Sequence, residues 1–168
     1  MAEPTLRYVD GPSVEAETTI AATSDRVWGV VADIELPARF SSELQSASWL
    51  DGATGPHVGA RFVGRNAHPA IGEWETTSTI VELEPGRVFG WVVGEPDHPA
   101  AAWRFTITPA GDGCRVTQWM RMGPAPSGIN PAIDAMPDKE DKILRRRLEE
   151  HRVNMMATLA GIKALAEG

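Results

Sequence analysis

The stretch from Asp138 to Glu167 sets the strongest limit on what this chain can fold into. Its apolar residues fall at Leu144, Leu148, Met155, Leu159 and Ile162. The steps are four, seven, four and three, so these side chains share one face of a helix. Ile143 and Leu165 widen the stripe, and Arg145, Arg146, Arg152 and Lys163 fall mostly on the other side. Asp138, directly after Pro137, is predicted to cap the first turn, with Glu140 and Asp141 where the helix dipole favours negative charge. At about 1.5 Å per residue such a helix is about 40 Å long and must lie on an apolar surface of similar length. One residue interrupts the stripe. His151 stands three after Leu148 and four before Met155, and reads either as an imidazole at the edge of the contact or as a polar group on a cavity wall.

The remainder of the chain supplies the surface. Residues 1–12 carry Pro4, Gly11 and Pro12 and read as a loose lead-in. Val14, Ala16, Thr18 and Ile20 alternate with Glu15 and Glu17, the pattern of a half-buried strand. Thr23 can cap a short helix through Val27, Trp28, Val30 and Val31, ending near Ile34 before Pro37, with one more helical turn over 38–43. Strands are predicted over 45–50, 60–65, 74–83, 88–93, 103–108 and 116–122. Short turns join most of them, among them Glu84-Pro85-Gly86-Arg87 and Gly111-Asp112-Gly113. Short connections imply an antiparallel meander. Gly64 and Gly90, inside strands, are where such a sheet would bend. The Pro-rich segment 123–137 reads as a linker or as a flap over a cavity mouth. The expected architecture is α+β in one domain, 1–168: about seven antiparallel strands curved around a long C-terminal helix, with two short helices after the first strand.

Composition narrows the partners. The chain carries a net charge of −7, which argues against nucleic acid and anionic membranes. The Arg145-Arg146-Arg147 run reads as a solvated helix face. Six Trp stand against four Phe and one Tyr, a supply of wide flat side chains for a cavity wall or a filled core. The single cysteine, Cys114, excludes an internal disulfide framework and fits a reducing cytoplasm. The polar N-terminus and the lack of a long apolar run read as a cytoplasmic protein without membrane insertion. His57, His68 and His98 sit beside loop residues and are expected to be exposed; with His151 they form no metal-ligand spacing, so no metal and no cofactor is expected.

Several strings together resemble one superfamily. Thr23-Ser24-Asp25-Arg26-Val27-Trp28 is similar to a capped first helix; Trp49-Leu50-Asp51-Gly52 and Val58-Gly59-Ala60-Arg61-Phe62 with Gly64-Arg65-Asn66 are similar to the second and third strands. Glu82-Leu83-Glu84-Pro85-Gly86-Arg87 is similar to the usual turn, and Met155, Thr158, Leu159, Ile162, Lys163 and Glu167 to the end of the long helix. In this order they resemble the START-like (SRPBCC) helix-grip superfamily, and within it the bacterial polyketide cyclase/dehydrase-like group, with the fold of birch-pollen-allergen-like proteins. The resemblance implies a cavity for a hydrophobic or aromatic small molecule but no particular reaction.

From the residues themselves, Trp28, Trp74, Trp91 and Trp103 are candidates for the wall, with Phe62 and Met155. Gln118 should point inward with Val116, Met120 and Met122, and Asn66 continues the face of Phe62 and Gly64. Asn66, Gln118 and His151 could orient the polar end of an apolar ligand. Trp119 alternates outward, and Glu73 and Glu75 are expected to face solvent. The leading expectation is binding of a lipid- or polyketide-like molecule between sheet and helix, by a monomer or homodimer. The alternatives are a cyclase/dehydratase-type enzyme in the same cavity with His151 as proton carrier, and a co-chaperone-like interaction module with a filled core.

Overall fold

A computed structural model describes residues 2–168. Its strands are β1 (Ser13–Ile20), β2 (Leu44–Trp49), β3 (Arg61–His68), β4 (Gly72–Glu84), β5 (Val88–Glu95), β6 (His98–Ala110) and β7 (Gly113–Met122). Helix α1 (Ser24–Val31) follows β1, and α2 (Asn130–Ala135) and α3 (Glu140–Glu167) follow β7. All seven strands form one antiparallel sheet in the order β1-β7-β6-β5-β4-β3-β2. The meander from β2 to β7 is the expected one, and β1 adds to its β7 edge.

Helix α3 lies along the inner face with Leu144, Met155, Leu159 and Ile162 at or below 1% exposure, so the stripe is the core contact. Its 28 residues span about 42 Å. Leu165, at the margin of the stripe, is 38% exposed. Thr23 does cap α1, its hydroxyl accepting from the Arg26 N–H at 3.3 Å. The second short helix is a 3-10 turn at Leu36–Arg39 and starts before Pro37, because proline is tolerated in a first turn where its missing N–H has no partner to lose.

The start of α3 differs from expectation. Pro137–Lys139 forms a 3-10 turn, and no side chain caps the helix. Glu140 and Asp141 instead turn their carboxylates to the lead-in: Glu140 accepts from the Tyr8 N–H at 2.8 Å and Asp141 from the Leu6 N–H at 2.6 Å. The lead-in is therefore tied down rather than loose. Tyr8 is buried, and its hydroxyl donates to the Ala125 carbonyl at 2.6 Å, so it also holds the segment 123–137. That segment is itself partly structured, with α2 inside it.

Two features set the inner face. A bulge between Ile80 and Glu82 shifts the β4–β5 register and places Gly90 opposite Glu82; a Cβ at Gly90 would meet the Glu82 Cβ at 3.2 Å. Upstream of the bulge Trp74, Thr76, Ser78 and Ile80 share the inner face; downstream, Leu83 packs on the core while Val81 and Glu82 face outward. On β6 and β7, Trp103 stands opposite Met120 and Phe105 opposite Gln118, all facing inward as the alternation requires. Trp119 faces outward, with the Arg104 guanidinium 4.7 Å from its ring centroid.

Candidate functional site

Sheet and helix do not close on each other. Between them lies a cavity of about 390 Å3. Its aromatic wall is built by Phe62, Trp74, Phe89, Trp91, Trp103 and Phe105, one or two from each of β3 to β6. Trp91 and Trp103 are cross-strand partners with rings 7° from parallel and centroids 6.3 Å apart. Phe62 meets Trp91 edge-on at 6.0 Å. The rigid strand pairing of β5 and β6 fixes this wall. Met155 closes it from α3, and Pro126–Ile129 from the segment before α2 also line it.

The polar lining gathers where α3 faces the loop into β2. Arg147 and Glu43 form a bidentate pair, Nη1 to Oε2 at 2.8 Å and Nη2 to Oε1 at 2.5 Å, with side chains only 9% and 12% exposed. Asn154, two helical turns on, accepts from the Ser42 N–H and hydroxyl at 3.1 and 3.0 Å. Between them on the helix, His151 presents its ring edge-on to Trp103, centroids 5.3 Å apart. Its pKa falls to about 4. Burial is the main cause and the Arg147 guanidinium the next; His68 adds to the lowering and Glu43 opposes it. His151 is therefore neutral near pH 7.

Along the whole of this scaffold the sequence matches a family model described as "Polyketide cyclase / dehydrase and lipid transport", over residues 11–166. The chain belongs to this family. Among solved structures, the polyketide-cyclase-like protein Cgl2372 of Corynebacterium glutamicum is 30% identical, over 91% of this chain and 90% of that one, with a TM-score of 0.62. The Zhui aromatase/cyclase of Streptomyces sp. R1128 is 20% identical over 94% of each chain, with a TM-score of 0.64. One half of the di-domain aromatase/cyclase StfQ from the steffimycin pathway superposes with a TM-score of 0.68 at 18% identity; the match covers 92% of this chain and 50% of that one. The latter two likenesses bear on the fold alone. No curated protein matches the sequence.

Within this family fold, Phe62, Asn66, Trp74, Trp91, Trp103, Gln118, His151 and Met155 all border the cavity. Trp28 does not. It packs edge-on against Phe89 at 6.1 Å, while Val31, three residues on in α1, is the residue of that helix that reaches the cavity. His68 is not an exposed loop histidine: its Nε2 lies 2.5 Å from the Glu150 carboxylate, with the ring 14% exposed, because β3 runs on to His68 and delivers it to α3. His57 and His98 are exposed. Glu73 and Glu75 face outward, Glu75 pairing with Arg65 at 3.0 Å. Arg147 overturns the reading of the arginine run as a solvated face. It follows Leu144 by three and precedes His151 by four, so its helical phase already placed it on the buried stripe. Glu43 had no such signal, being on a loop. Cys114 is buried and burial pushes its thiol pKa up, which leaves it inert. Among the described residues no helix is long and apolar enough to cross a membrane.

The state of His151 predicts a pH dependence. Its folded pKa of about 4 lies below the unfolded value near 6.5. Between these values the unfolded chain takes up a proton that the native protein refuses, so stability falls from pH 6.5 toward pH 4 and the loss ends below it. The full effect is roughly 3 kcal/mol. The groups facing the imidazole are Arg147 on its own helix, Glu43 from the loop before β2 and His68 from β3. Urea titrations across this window should show the fall in the parent protein and a flatter profile in His151→Gln. Carboxylates with lowered pKa, such as Asp141 and Glu167, lose their contribution from roughly pH 5 downward in both proteins, so the difference between the two profiles isolates His151. Equal slopes in both proteins would refute the assignment.

Proposed function

We propose that this protein binds a hydrophobic or aromatic small molecule, lipid- or polyketide-like, in the cavity between the sheet and α3. The observation that carries this reading is the aromatic-walled space itself: about 390 Å3 bordered by the Trp91–Trp103 pair inside an otherwise well-packed core. Apolar burial at roughly 25 cal/mol per Å2 must exceed an association cost of at least about 4 kcal/mol. Micromolar affinity therefore requires about 500 Å2 of apolar surface removed from water, ligand and wall together.

A cyclase/dehydratase-type reaction in the same cavity would need a proton carrier. His151 is the imidazole on the wall, but with a pKa of about 4 it is a weak acceptor at neutral pH. This favours binding over turnover. An interaction module with a filled core fits poorly with so large an internal space.

Titration with N-phenyl-1-naphthylamine, read by tryptophan quenching, tests the proposal. Saturable 1:1 binding is expected, and Trp103→Ala and Phe62→Ala should each weaken it at least about ten-fold while the far-UV spectrum is retained. Native mass spectrometry of the purified protein adds the mass of any retained ligand. Absence of saturable binding in the folded parent protein would overturn the reading.

A further inference from the structure

Gln118 borders the cavity and carries a buried side-chain oxygen that finds no hydrogen-bond partner among the described residues. The residue is 5% exposed, and the unpaired atom is Oε1. The cause is its register. Phe105 of β6 and Ala16 of β1 stand directly opposite on either side, and Val116 and Met120 precede and follow it on the same face of β7. None has a side-chain N–H or O–H to donate to the amide oxygen. Buried amides in folded proteins are nearly always paired; Gln118 borders the cavity, and a turn of its amide brings the unpaired oxygen to that space.

The charged lining adds a second constraint. Arg147 is the cationic side chain on the wall, and both its terminal nitrogens are committed to Glu43. Among the described residues no other cationic side chain lines the cavity to neutralise a ligand carboxylate, and an unpaired buried charge is costly. A neutral hydroxyl has neither problem. It can donate to the amide oxygen and accept from the amide nitrogen, so it pairs with Gln118 in either orientation of the amide.

We propose that Gln118 is the specificity-determining residue of the cavity, selecting neutral hydroxyl-bearing apolar molecules over bare hydrocarbons and over carboxylates. The proposal rests on the reading that the cavity binds a ligand, and deepens it. A hydrocarbon that fills the space excludes water and strands the amide; a hydroxyl in the same place satisfies it.

Three probes of one shape class test this: 2-naphthol, 2-methylnaphthalene and 2-naphthoate, titrated at pH 7 into the full chain by tryptophan quenching. After correction for their water-to-octanol partition, the parent protein should bind 2-naphthol at least about ten-fold more tightly than 2-methylnaphthalene, with 2-naphthoate weakest. In Gln118→Met the first two affinities should converge, while the thermal midpoint stays equal or rises because a stranded amide has been removed. That combination separates a selecting residue from a merely structural one. If 2-methylnaphthalene binds as well as 2-naphthol in the parent protein, or if 2-naphthoate binds best, the assignment of Gln118 is overturned and ligand binding stands. An unchanged ranking in folded Gln118→Met overturns it too. If no probe binds the parent protein, the cavity reading falls and takes this proposal with it. The parent ranking needs no variant, so it decides the matter even if Gln118→Met fails to fold.

Discussion

Arg147→Ala should lower stability by about 3–5 kcal/mol, a large effect for one residue of an arginine run. The reason is Glu43. Its carboxylate is held by both terminal nitrogens of Arg147, with the two side chains 12% and 9% exposed. Removing the guanidinium leaves a buried carboxylate without its counter-ion. The loop into β2 then loses its ion pair to α3 and keeps the tie from Ser42 to Asn154, Phe40 beside Gly161, and the Ala67 N–H donating to the Glu43 carbonyl at 2.9 Å. The double variant Glu43→Leu with Arg147→Met should recover most of the loss, because replacing both members of a buried pair by apolar groups of similar size is often neutral. The coupling between the two positions should then be large, and urea unfolding of the four proteins measures it directly. His151 supplies an independent readout. Arg147 lowers its pKa, so removing the guanidinium should raise the imidazole pKa, visible in the ring-proton shifts. If Arg147→Ala costs under about 1 kcal/mol and shows no coupling to Glu43, the pair is not buried in solution as described.

Gly113→Ala should cost about 3 kcal/mol or more. Gly113 opens β7 where it passes the end of β1. A Cβ there would lie 2.1 Å from the Ile20 carbonyl oxygen, 3.1 Å from its carbon and 3.2 Å from the Ala21 Cα. All three are backbone atoms, so no change of rotamer can relieve the overlap. β1 is an edge strand held on one side by β7 alone. The clash must therefore be relieved by opening the Ile20–Cys114 pairing and lifting Ile20, which is fully buried, from the core. Gly111→Ala is the control. Gly111 has φ of +58° and open space around its would-be Cβ, so alanine there meets only left-handed strain, about 1 kcal/mol. Hydrogen exchange should show lost protection along β1 in Gly113→Ala and not in Gly111→Ala. Similar small costs for both would contradict the close approach of β1 and β7.

The contrast between these two sites reflects what kind of information each rests on. The phase of α3 was readable because a helix repeats every 3.6 residues, and a residue's face follows from counting. The same count places Arg147 on the buried side, although consecutive arginines on a helix are usually solvent-facing. The inner faces of β6 and β7 were readable for the same reason with period 2, and a short turn fixes their register. Trp74 was not. Alternation counted back from Leu83 puts Trp74 outward; the bulge between Ile80 and Glu82 reverses the parity, so it lines the cavity. A bulge is chosen by the packing of neighbouring strands and has no dependable local signature.

The helix face, the strand alternation, the turns and hence a curved sheet closed by one long helix are legible in the sequence, because those depend on periodicity and local backbone chemistry. So is Gln118 as an inward-facing amide. Long-range packing sets the rest: Glu43 meets Arg147 across 104 positions, His68 reaches Glu150, and Glu140 and Asp141 hold the lead-in. It also sets Trp28 against Phe89 rather than on the cavity wall and leaves the Gln118 oxygen without a partner. Such contacts join residues far apart in the chain, so their distances follow from how the sheet bends over the helix, which no local window of sequence encodes.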